Sequence, residues 1–286
     1  MAIGGTIPPP GTGTGTGPRL GWRWGWRVLA FVLCLAAPAV HADGPMALRA
    51  FSTASGEQAP APWHFASLPG KTPTRFEVVQ LGGQRVLKVE ADQSYGNLVH
   101  RTLVPLLGQP TLSWRWRVDR FVEGADLRTR AGDDGAAKLC VFFNLPAERL
   151  PFGARARLAL ARSASGEEVP SEVLCYVWDG KEPRDTLLVN AFTDRMRMMV
   201  LESGATPAAG GWTGEHRDLL ADYRRAFGQE AGGIVPDVVA IAVSADADNT
   251  RGHGLAYFSD IDLRAGGIAR TAAAPAPPAV PSAAPE

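Results

Sequence analysis

The sequence predicts an all-β protein, a jelly-roll-like antiparallel β-sandwich with one short helix near residues 218–227. Three observations predict it. Short stretches alternate apolar with polar side chains, the period of a half-buried strand. Gly, Pro and Asp turns separate these stretches closely, which favours stacked sheets over alternating β and α units. A single segment stands out with helical spacing.

Residues 74–81 and 84–90 flank Gly82-Gly83, a two-residue hairpin signal because glycine reaches positive φ at both centres. Further strands are expected at 96–103, 112–119, 137–144, 172–178, 195–202, 238–245 and 254–264. Period-2 reading sorts their faces. Leu112, Trp114, Trp116 and Val118 share one face, assigned to the core, while Ser113, Arg115, Arg117 and Asp119 share the other. Leu139, Val141 and Phe143 alternate with Lys138, Cys140, Phe142 and Asn144. Val173, Cys175 and Val177 alternate with Leu174, Tyr176 and Trp178, and Arg195 and Arg197 with Met196 and Met198. For the helix, Asp218 is the expected cap, Leu219, Leu220, Tyr223 and Phe227 the apolar face, and Gly228 the stop.

Both ends of the chain differ from this middle. Arg19, Arg23 and Arg27 precede an apolar run over 28–37, and Val40-His41-Ala42 offers small residues for a cleavage after Ala42. The uncharged run of 13 residues from Val28 to Val40 is short for a bilayer span, so a cleavable signal peptide and a periplasmic or secreted location are expected, with no stable membrane span after cleavage. Glycine, threonine and proline dominate residues 4–17, and the stretch 267–286 is rich in alanine and proline, compositions that support no core. The division is therefore 1–42 low-complexity leader, 43–266 one sandwich domain, 267–286 disordered tail.

Charge removes one function class. Three of the 29 basic residues lie in the first 42, which hold no acid, so 26 basic residues face 29 acidic ones in the remainder. That balance lacks the basic footprint of a nucleic-acid binder. Cys140 and Cys175 remain after the leader, and in an oxidising compartment they either pair or stay as buried thiols. Gly70-Lys71-Thr72 lacks the preceding glycine and following helix of a phosphate loop, the G-x-S-x-G elbow is absent, and the mature histidines are scattered. No catalytic residue is assigned.

Two acidic clusters carry more chemistry. Gly132-Asp133-Asp134-Gly135 precedes a strand, and Asp246-Ala-Asp248-Asn249-Thr250 follows one. Carboxylate and amide oxygens at these positions suit Ca²⁺, making Asp133, Asp134, Asp246, Asp248 and Asn249 candidate ligands of a structural calcium, the one cofactor considered. Turn formation by side-chain to backbone hydrogen bonds is the alternative. A second candidate is a cation and aromatic surface of Arg115, Arg117, Tyr176, Trp178, Arg195 and Arg197. Its guanidinium forks and aromatic platforms suit a glycan or an anionic envelope ligand, and an outer face of solvated ion pairs is the alternative.

Several stretches together resemble a known family. They are Trp114-Arg-Trp-Arg-Val118, Gly132-Asp133-Asp134, Tyr176-Val-Trp178, and Trp212 leading through Arg217-Asp218 and Asp222-Tyr223 to Phe227-Gly228. Asp246-Ala-Asp-Asn-Thr250 and Tyr257-Phe-Ser-Asp-Ile261 complete the set. Their order and spacing are similar to the uncharacterised bacterial family catalogued as domain of unknown function 3047, over roughly Phe51 to Leu263. The resemblance implies an exported β-sandwich and no assigned activity. The closing strand is also similar to that of galactose-binding-like carbohydrate-binding modules, a fold-level analogy. Three readings follow: a non-catalytic module binding a glycan or other polar envelope ligand, a structural or assembly component of the envelope, and a glycosidase-like hydrolase. The last would use two carboxylates among Asp133, Asp134, Glu172, Asp246 and Asp248.

Overall fold

Gly82 and Gly83 adopt φ of 58° and 81° and close a tight hairpin between β2 (Arg75–Leu81) and β3 (Gln84–Asp92). In this computed structural model the described residues are 47–145, 170–204, 211–230 and 233–266, with 152, 153, 155, 156 and 159. The expected leader, its cleavage point and the Ala/Pro-rich tail lie outside them.

Two sheets form the sandwich. The larger has seven described strands in the order β1 (His64–Ala66), β4 (Tyr95–Pro105), β11 (Asp237–Asp246), β6 (Gly135–Asn144), β7 (Glu172–Asp179), β9 (Met196–Ser203) and β8 (Leu187–Val189). The smaller runs β10 (Thr213–Asp218), β5 (Thr111–Arg120), β12 (His253–Phe258), β3 and β2, with β13 (Asp262–Arg264) also on β5. The expected all-β sandwich is thus the observed architecture, with the sheets left open. One pair departs from the antiparallel expectation: β7 and β9 run parallel. The chain leaves β7, lays β8 at the sheet edge, and returns as β9 between the two.

The core lies between the sheets. Trp114 and Trp116 on β5 pack their rings 5.4 Å from Tyr176 and 5.7 Å from Trp178 on β7. Aromatic pairs of this kind add about 0.5–1.5 kcal/mol each beyond area burial. The tryptophans therefore face inward, as alternation predicts. Strands β1 and β8 are three residues long, and β10 reads Thr-Gly-Glu-His-Arg-Asp with no apolar face, so none carries a strand signal. The expected closing strand splits at Ser259, whose amide donates to the Arg115 carbonyl and whose hydroxyl accepts from the Arg115 amide.

Helix α1 (Leu219–Phe227) has its expected bounds. One Asp218 carboxylate oxygen accepts from the amides of Leu220 and Ala221, both at 3.0 Å, which caps the first turn. The helix packs Tyr223 and Phe227 on Phe143 of β6. Two polar ties hold it there. Tyr223 Oη donates to Glu172 at 2.8 Å, and Tyr176 Oη donates to Asp222 at 2.8 Å, where Arg217 adds a two-pronged ion pair. Burial pushes both tyrosine hydroxyls upward, and these carboxylates reinforce it.

Candidate functional site

The larger sheet has a second apolar face, turned away from the core. On it lie Val99, Cys140, Cys175, Val177, Met198, Val200, Ala240 and Ala242, all buried. Sequence alternation places Lys138, Cys140 and Phe142 on this face of β6, opposite Leu139, Val141 and Phe143 in the core. Ladder register sets Ser244 of β11 beside Lys138 and Asn97 of β4 beside Ser244, so the apolar face turns polar toward one end.

There the sheet floors a cleft of about 470 Å³. Phe142, Met196 and the Cys140–Cys175 disulfide form its apolar part, and Leu68 and Phe192 form an exposed rim. Of the two cysteine readings left open by sequence, the bonded one is observed, directly across the β6–β7 ladder. Phe192 is steadied by Arg130, whose guanidinium lies 5.5 Å from the ring centroid and donates to the Ala191 carbonyl.

The polar end is built by the two acidic clusters, which the fold brings together. Asp134 is fully buried and saturated: one oxygen accepts from the Thr250 amide and hydroxyl at 2.7 Å each, the other from the backbone amide and side chain of Asn249. Asp246 accepts from the Gly135 amide at 2.7 Å and pairs with Lys138 Nζ at 2.8 Å. Burial pushes the Asp246 carboxyl up to about 6 against the downward pull of Lys138. Burial would lower the Lys138 ammonium, yet Asp246 and then Asp133 outweigh it and hold it above its ordinary range. Asp248 pairs with Lys71 and raises that ammonium too. Asp133, 6% exposed, accepts from Asn190 Nδ2 at 2.6 Å through one oxygen, while its Oδ1 is buried with no hydrogen-bond partner.

Among the described residues no three His, Cys, Asp or Glu side chains form a group able to hold a metal ion. Asp134 is spent on turn donors, and the positive charge beside Asp246 is the Lys138 ammonium.

The cation and aromatic surface is corrected. Tyr176 and Trp178 point into the core, whereas Arg115 and Arg117 lie on the outer face of the smaller sheet. Arg117 forks onto Asp119 at 2.6 and 2.8 Å and lies over Tyr257; Arg115 donates to Gln84 and lies over Trp212. Arg195 pairs with Glu172, and Arg197 pairs with Glu230 and stacks on Phe227 of the helix. The six form no common surface, because they stand on different sheets and Tyr176 and Trp178 face inward; on the larger sheet, apolar on both sides, alternation alone does not tell the core face from the outer one. Asn190 and Phe192 were not singled out from sequence, and Lys71 was noted only within a rejected phosphate-loop pattern. Lys138 carried a signal, as a charge beside Cys140 and Phe142 on one strand face.

Among the described residues no helix is long and apolar enough to cross a membrane. No curated protein matches the chain. Solved structures overlap it at low similarity. The xyloglucanase domain of NopAA from Sinorhizobium fredii, in complex with cellobiose, is 10% identical, with 71% of this chain and 97% of that one covered and a TM-score of 0.36. Trichoderma harzianum endoglucanase 3 is 12% identical over 72% and 99% of the two chains, with a TM-score of 0.32. Overlap at that level carries no information on activity. The family described as protein of unknown function (DUF3047) matches residues 61–262, the sandwich from before β1 into β13. By that match the chain belongs to the DUF3047 family.

Proposed function

We propose that the chain is an exported, non-catalytic binding module that holds a glycan in the outer cleft of the larger sheet. One observation carries the reading: an apolar floor with an exposed aromatic rim meets a dense set of amide, hydroxyl and carboxylate groups in a single cleft. Sugar rings present the same pairing, an apolar C–H face beside hydroxyls, and small-molecule sites combine apolar walls with a few placed polar groups. Export is supported by the leader expected at the N-terminus and by the disulfide, which suits an oxidising compartment. An anionic ligand is disfavoured, since Asp133, Asp246 and Asp248 outnumber Lys71 and Lys138 in the lining.

The hydrolase reading draws support from the raised Asp246 carboxyl, but four of its five candidate acids are committed elsewhere, Asp248 to Lys71 among them, which leaves Asp133 without a second acid to work with. Glu172 serves the helix, Asp134 serves the loop, and Asp246 is held by Lys138 and Gly135. Binding needs no free acid pair, so it is the better account.

The test is a glycan array followed by calorimetry on the purified full chain. Binding to one class of oligosaccharide, weakened at least about tenfold in Phe192→Ala, is expected. A folded protein that binds no glycan on the array sinks the reading.

A further inference from the structure

We propose that the smaller sheet carries a second binding site, separate from the cleft, which takes the carboxylate of an acidic sugar between Arg85 and Arg115.

The site comes from the early end of one strand. β12 stops at Phe258, whose ladder partners are Leu87 on β3 and Trp116 on β5. β3 and β5 both extend past that point, and there the turn of Ser259 and Asp260 takes the place of a strand between them. A polar pocket of about 540 Å³ occupies the gap. Gln84 and Arg85 reach it from β3, Arg115 from β5, and Gln80, the ladder neighbour of Arg85, from β2.

Both guanidiniums keep donors in reserve. Arg115 is exposed, and its Nη2 donates at 2.8 Å to Gln84 Oε1, a neutral acceptor. Arg85 donates from Nη2 to the Gly56 carbonyl, again a neutral acceptor. The Nη1 of Arg85 is not buried and donates to nothing among the described residues. Neither arginine forms an ion pair among those residues. Asp260 is the one carboxylate in the lining, and it is turned to the amide and hydroxyl of Ser52 at 2.9 and 2.6 Å. Two positive charges thus share the pocket with one negative charge, and a single further anion brings it to neutrality.

The lining narrows the anion. A guanidinium fork matches the plane of a carboxylate through paired N–H donors. A phosphate monoester carries nearly two charges and overshoots the balance. Gln84 spends its oxygen on Arg115, so its amide nitrogen is left to donate to a neighbouring hydroxyl, and the Gln80 amide lines the same space. Val86, almost wholly buried, is the one apolar side chain of the lining. The apolar side chain beside a peptide's terminal carboxyl therefore finds no wall there. A uronate, an acid set among hydroxyls, meets each of these conditions.

Calorimetry on the purified full chain tests the site with trimers of galacturonate, glucuronate and mannuronate. Each is run beside its carboxyl-reduced counterpart, with N-acetyl-alanyl-alanine and inorganic phosphate as the other anions. At least one uronate trimer is expected to bind, at least about tenfold more tightly than its reduced form and than either other anion. Arg115→Gln should weaken that binding at least about tenfold. Arg264→Ala, which removes an exposed charge outside the pocket, should change it less than about twofold. Should Arg115→Gln fold poorly, the wild-type ranking decides. The site is overturned if the wild type binds no uronate, or binds a reduced trimer or another anion as tightly. A uronate affinity untouched by Arg115→Gln also overturns it, and places the ligand elsewhere on the chain. The cleft reading stands or falls separately, since the cleft lies on the other sheet.

Discussion

The Lys138 ammonium of β6 lies 2.8 Å from the Asp246 carboxylate of β11, and both are almost wholly buried at the polar end of the cleft. Removing one member leaves the other charged with no counter-ion in a desolvated place. Lys138→Met should therefore lower stability by about 3–5 kcal/mol, read by urea unfolding. Replacing both, as Lys138→Met with Asp246→Leu, should recover much of that loss. A single variant as stable as the wild type would show that the pair is not under strain from burial.

Glu215 gives the chain a pH dependence of known sign. Burial, with the nearby Glu202 carboxylate, pushes its carboxyl up to about 7 even though Trp116 Nε1 donates to it at 3.1 Å. The folded state then holds the proton more tightly than the unfolded chain, whose ordinary value is 4.5. Its stabilising share is complete below about pH 4.5 and fades as the pH rises through about 7. Melting curves should show Glu215→Gln gaining on the wild type at about pH 8 and losing that gain at about pH 5. Parallel curves for the two proteins would refute the assignment.

The Cys140–Cys175 bond closes a loop with a sequence separation of 35. Loop-closure entropy assigns such a link about 4 kcal/mol. The double Cys→Ala variant should unfold at correspondingly lower urea, and reducing agent should shift the wild type toward the variant while leaving the variant unchanged.

Helix α1 is held by Tyr223 on Glu172 as well as by its apolar face. Tyr223→Phe keeps the ring on Phe143 and removes the donor from a buried carboxylate. A loss of about 1–3 kcal/mol in chemical unfolding is expected, without loss of glycan binding, because Tyr223 lies on the core side of the sheet. A binding defect in this variant would mean the two faces are coupled.

Much of the fold was legible because its signals are local. Gly82-Gly83 supplied the hairpin, Asp218 the cap, and the alternation of Leu112 to Val118 the inward tryptophans. The site was only half legible. The two aspartate clusters stood out as chemistry, but their purpose depends on Lys138, Lys71 and Asn190, which arrive from separate segments. Tyr176 and Arg115 were grouped because aromatic platforms and guanidinium forks suit one ligand, yet they stand on different sheets, a separation set by strand order. On the larger sheet, apolar on both sides, alternation does not say which side faces the core.

β6 therefore carries two histories in one strand. Leu139, Val141 and Phe143 answer to the packing of the sandwich, while Lys138, Cys140 and Phe142 answer to the lining of the cleft. Across relatives, drift should fall on every second position: the inward residues exchanging only among similar volumes, the outward ones changing together as the cleft is reshaped. A lineage with a reshaped cleft would leave its mark as a two-residue rhythm of substitution along β6.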